Sequence, residues 1–163
     1  MKLAFIALPL LAFNVQAADV TITGNVQSKC IINTDTAGVY GNPSADKLST
    51  APADGGVVPV VRYDVTLADA YIARITTPTS FTTSPSLSDS VTWTGTTAVK
   101  EVSDSAMADY ETNKVEYDAT TEYDLHTAGS VWFESTSTAS YGYGKAYPGG
   151  RYVAVVQAEC IAK

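Results

Sequence analysis

Even-numbered positions from Val20 onward, Val20, Ile22, Gly24, Val26 and Cys30, alternate with mainly polar residues. In an extended chain such positions share one face, so residues 20–32 are predicted to form a strand with an apolar side, a glycine gap and a terminal cysteine. Near the other end, Tyr152, Ala154, Val156, Ala158 and Cys160 keep the same parity, which predicts a strand over 151–161. Between them the pattern predicts strands at 57–67, 71–76, 91–94, 98–102, 114–118 and 130–134. Turn clusters at 41–44, 53–56 and 148–150 punctuate them. No window longer than about ten residues keeps helical spacing without a Thr, Ser, Gly or Pro interrupting it. The predicted architecture is all-β, a single antiparallel sandwich over 18–163.

Residues 1–17 break this pattern. One lysine, a short apolar run and Val15 and Ala17 at the close resemble a secretory signal peptide, predicting cleavage after Ala17 and export. That run is too short for a membrane span, so no membrane insertion is expected. Export gives Cys30 and Cys160 an oxidising compartment, which favours a disulfide over two buried thiols. Because both fall on core-facing parity, a bridge would hold the first and last strands side by side. The balance of 10 basic against 17 acidic side chains, a net charge of −7, argues against nucleic acid as a partner.

Candidate chemistry is sparse. His126 is the sole histidine, and nothing around it resembles a nucleophile turn. One histidine with two cysteines cannot furnish a zinc site, and no phosphate-cradling glycine loop precedes a helix. No cofactor, metal or enzymatic activity is expected; a hydrolase using carboxylates from the acidic span 101–124 is the weakest of the readings. There the near repeat Glu116-Tyr117-Asp118 and Glu122-Tyr123-Asp124 admits a calcium site or, more simply, a hydrated acidic strand face. The Thr, Ser and Pro-rich span 76–90 is predicted to be a long solvated connection or an irregular edge strand. Tyr141, Tyr143 and Tyr147 lie in a glycine-rich loop and form a candidate surface for glycans or a protein; alternatively their rings fold back over the sandwich edge.

The opening stretch Asp19-Val-Thr-Ile-Thr-Gly-Asn-Val, running on to Cys30-Ile-Ile-Asn, resembles the mature start of chaperone-usher pilus subunits of the minor, tip-adaptor type. The run from Gly149 through Tyr152 to Ala158 is similar to that family's last strand. The resemblance implies an immunoglobulin-like sandwich with one strand position left open. It implies as partners a periplasmic chaperone and other subunits, whose N-terminal segments fill the opening by strand addition at the cell surface. Val20, Ile22, Gly24 and Val26 would then be the inserted residues, with Gly24 at the tightest point. The alternative is a closed, secreted sandwich that binds carbohydrate or protein through the tyrosine loop.

Overall fold

The computed structural model describes residues 23–24 and 29–163. The signal-peptide reading, Val20, Ile22 and Val26 lie outside the described residues; β1 begins at the cysteine, just after Lys29, and spans Cys30–Thr36.

The described residues form twelve strands in chain order, with one short α-helix and two single 3-10 turns. The strands are β1, β2 (Gly41–Ser44), β3 (Lys47–Ser49), β4 (Val60–Val65), β5 (Tyr71–Thr76), β6 (Val91–Thr94) and β7 (Thr97–Val102). After α1 (Tyr110–Asn113) come β8 (Val115–Tyr117), β9 (Thr120–Leu125), β10 (Gly129–Ser135), β11 (Thr138–Tyr141) and β12 (Gln157–Ala162). Three antiparallel sheets result: β1-β4-β10-β7, β12-β5-β9-β8, and a smaller β2-β3-β11-β6.

The two larger sheets pack face to face. Alternation decides which side chains meet: Tyr63, Val65, Val131 and Phe133 point from one sheet, and Ala73, Ile75, Tyr123 and Leu125 from the other, all buried. Phe133 sits at the centre, 5.5 Å from the Tyr63 ring and 4.3 Å from that of Tyr123. Deleting a ring of this kind typically costs about 3–5 kcal/mol. Both tyrosine hydroxyls are satisfied: Tyr63 donates to the carbonyls of Arg74 and Glu159, and Tyr123 to that of Thr97. Burial pushes both phenols well above the ordinary tyrosine range.

β10 and β11 are one stripe bent between sheets. Val131, Phe133, Ser135, Ser137, Ala139 and Tyr141 are buried in unbroken alternation through the bend. β7 and β6 follow the same bend as their partners, turning at Gly95 and Thr96. A Cβ at Gly95 would lie 2.6 Å from the Thr136 carbonyl oxygen, so only glycine lets the two chains approach there. The Thr96 and Thr136 hydroxyls, 2.8 Å apart, fasten the corner.

Some elements differ from expectation. The last strand starts at Gln157 rather than 151, because the chain before it pairs only through a bridge between Val153 and Thr83. β2, β3, β9 and β11 were not predicted. β9 is hidden in its sequence by acids at alternate positions, yet its odd residues Thr121, Tyr123 and Leu125 are core. The span 76–90 is a connection, but not wholly solvated: Phe81 gathers Tyr40, Trp93, Tyr147 and Tyr152 around it at 4.6–6.4 Å.

Candidate functional site

Two sheet edges meet without pairing. Among the described residues β1 has only β4 as a ladder partner and β12 has only β5, so within that set each presents an unpaired edge to the seam between the sheets. Cys30, at the start of β1, is bonded to Cys160, near the end of β12, with Cα atoms 6.3 Å apart. β1 runs away from this clamp as β12 runs towards it, so the walls are antiparallel and separate with distance from the disulfide.

Where they separate, a groove of about 620 Å³ opens. One wall is the chain leaving β1, with Thr34, Thr36, Gly38 and Val39; the other is the chain entering β12, from Gly150 to Val156. Leu48, Thr50, Pro59, Pro78 and Ser137 form the floor. Tyr40 borders it, its hydroxyl 2.8 Å from that of Ser137, and burial raises its phenol pKa. Val39 and Val155 are about half exposed, at 53% and 49%. Among the described residues, no backbone hydrogen bond engages Ala154, Val155 or Val156. A concave slot lined by Val, Pro and Leu48 side chains together with Thr and Ser hydroxyls, beside unpaired backbone, is suited to accept an extended segment.

The opposite seam is treated differently. There β7 is the edge, and α1 lies against it: Glu111 Oε2 accepts the Val99 N–H at 2.8 Å, and Lys114 Nζ donates to the Thr97 carbonyl. Met107 and Tyr110 fill the gap beneath and are buried. Free strand edges are ordinarily covered in this way, since an exposed one templates further pairing.

The tyrosine loop does not present its three rings together. Tyr141 is 4% exposed and stacked 5.1 Å from Tyr147; its hydroxyl lies 3.1 Å from the Ser88 hydroxyl and accepts the Ser88 N–H, and the bond with the Ser88 side chain, ahead of that with its N–H, holds its pKa below the ordinary tyrosine value. Tyr147 is half-buried; its hydroxyl is buried without a partner among the described residues, and burial raises its pKa to about 12. Tyr143 alone projects fully into solvent. Gly24 is exposed, with nothing within 4 Å of where its Cβ would be.

The acidic repeat occupies the β8–β9 hairpin, and three of its four carboxylates engage separate cations. Glu116 pairs with Lys114, Glu122 with Arg74, and Asp124 with Lys163. Among the described residues no group of three or more His, Cys, Asp or Glu converges as a metal site would require. His126 Nε2 is 3.1 Å from Asp109 Oδ1, and Nδ1 is 3.0 Å from the Thr127 hydroxyl. Among the described residues no helix is long and apolar enough to cross a membrane.

No protein-family model, curated protein or solved structure matches this chain. The groove therefore has to be interpreted from its own geometry. Its residues went unpredicted because they come from separate stretches, 34–40 and 150–156, that look like strand ends; the one local signal is the run Val153-Ala-Val-Val156, apolar on both parities.

Proposed function

We propose that this protein is an exported structural or adhesive subunit, similar to pilus subunits, that assembles by accepting an extended strand from another copy. The observation that carries this is the contrast between its seams: the β7 seam is covered by α1, whereas the β1–β12 seam is left as a groove, lined by apolar side chains and hydroxyls, along backbone unpaired among the described residues.

Strand order supports the same reading. With β2, β3, β6 and β11 set aside as the small sheet, β1-β4-β10-β7 has the A-B-E-D order of an immunoglobulin sheet, and β12 beside β5 corresponds to F beside C. An immunoglobulin domain carries its last strand next to F. Here that place is the groove side of β12, unfilled among the described residues. The β8–β9 hairpin follows β7 in the chain, which is a departure from that scheme.

Inserted backbone would complete the β12 ladder, and alternate side chains would enter the slot to fix register. Residues 18–28, with Val20, Ile22, Gly24 and Val26 on one face, suit it. A fluorescent peptide of residues 18–28 should bind the purified chain saturably. Val155→Asp in the protein or Gly24→Asn in the peptide should weaken binding, whereas Thr23→Asn in the peptide should not. A peptide that fails to bind at any concentration overturns the proposal and leaves a closed sandwich.

A further inference from the structure

The clamp and the groove define two poles. At the clamp pole the chain enters β1: the Thr66 N–H donates to the Lys29 carbonyl and the Lys29 N–H to the Thr66 hydroxyl beside Cys30, and the turn after β4 brings Leu67 to the surface there, 44% exposed. At the groove pole Val39 and Val57 pair in an isolated bridge and are both exposed, with Arg151 nearby.

The disulfide closes the seam at one end, so a segment still attached to a folded domain has to leave by the other. An inserted strand therefore runs with its C-terminal end at the groove pole. That direction is antiparallel to β12, the better pairing of the two. Val26, the last residue of the inserted pattern, is only three positions before Lys29, a reach of about 10 Å when extended. The donor's own clamp pole must then lie against the acceptor's groove pole.

Resting on the strand-donation reading above, we propose that successive copies also touch pole to pole, the donor's Leu67 turn against the acceptor's Val39–Val57 bridge. Each end offers exposed apolar side chains to the other. Arg151 stands exposed at the groove pole without an ion-pair partner among the described residues, and Asp69, which pairs with Lys163, still leaves 74% of its side chain exposed beside the Leu67 turn. The contact joins two different patches, so it is heterologous and propagates head to tail in place of pairing two copies symmetrically.

Photo-crosslinking in the full chain, with p-benzoylphenylalanine placed at Leu67 or at Val155, separates this inference from the reading beneath it. The expected result is that the probe at 155 captures residues 18–28 of a second copy and the probe at 67 captures residues 38–40 or 57. Capture from 155 without capture from 67 overturns the pole contact and leaves strand donation standing. Absence of capture from 155 overturns both. Leu67→Lys should weaken association about tenfold, the loss of one good apolar contact, while the melting temperature of the monomer is unchanged. Full association of Leu67→Lys would also overturn the contact.

Discussion

Cys30 and Cys160 join the opening strand of one sheet to the closing strand of the other, across 130 residues of chain. The bond lies between two edges that no ladder connects. Besides the core packing behind it, it is the covalent tie that sets how far the groove walls separate.

Removing that tie should therefore act twice. The double change Cys30→Ser and Cys160→Ser should lower stability by about 4–5 kcal/mol in the chain-entropy estimate for so long a loop. Urea unfolding measures this, and thiol titration of the unfolded, unreduced parent should find no free cysteine. Beyond stability, the walls lose their fixed spacing, so binding of the 18–28 peptide should weaken even at temperatures where the variant remains folded.

The tyrosines of the 141–147 loop should separate by burial. Tyr141→Ala removes a stacked, hydrogen-bonded ring and should cost about 3–5 kcal/mol. Tyr143→Ala touches only solvent and should stay within about 0.5 kcal/mol of the parent. Tyr147→Phe deletes a buried hydroxyl that has no partner among the described residues, so stability should hold or rise. Thermal melting of the three variants checks the ranking, and a large loss at Tyr147→Phe would mean that its hydroxyl has a partner after all.

The parts of this fold that alternation makes visible are those buried on one face. β5 and β6 fall where the pattern puts them, and the stripe of β10 is plain from Val131 and Phe133. The bridge expected of two cysteines in an oxidising compartment is present, and it joins the first and last strands as their equal parity implies. β9 escaped because Glu122 and Asp124 sit on its outer face, where ion pairs to Arg74 and Lys163 make acids acceptable in a strand. β11 escaped because Thr138, Ala139 and Ser140 have little hydrophobic contrast; only its continuity with β10 through the bend gives it a face. The general place of the groove, beside the first and last strands, follows from the Cys30–Cys160 bridge and the resemblance, but its lining does not: the walls are more than a hundred residues apart in the chain, and nothing local to 34–40 says that 150–156 will lie opposite.

Alkaline titration offers a test of the aromatic cluster. Burial raises the Tyr147 pKa to about 12, above the ordinary value near 10. The folded state thus keeps a proton that the unfolded state releases first. The associated stability is complete below pH 10 and is lost as pH rises towards 12. Tyr63 and Tyr123, raised further in the core, push in the same direction. Denaturant unfolding should show stability falling steadily above pH 10, with tyrosinate absorbance lagging behind that of the unfolded chain. Tyr147→Phe should make the fall shallower.

The covered seam makes the last prediction. Glu111 binds the free N–H of Val99 through one oxygen and Lys114 through the other, and Lys114 also reaches the Thr97 carbonyl. Glu111→Ala removes the acceptor and leaves the Val99 N–H without it on a half-buried edge. An unsatisfied donor of that kind costs about 1–3 kcal/mol. Glu111→Gln keeps an amide oxygen in place, so it should lose less than the alanine variant. If Glu111 merely attracted Lys114 at the surface, both substitutions would instead cost the same, at most about 1 kcal/mol. Uncovering β7 should also let its edge pair with other chains, so light scattering from Glu111→Ala should rise with concentration in a way that the 18–28 peptide does not suppress. Suppression by the peptide would place that association at the β1–β12 groove and remove the role assigned to α1 as an edge cover.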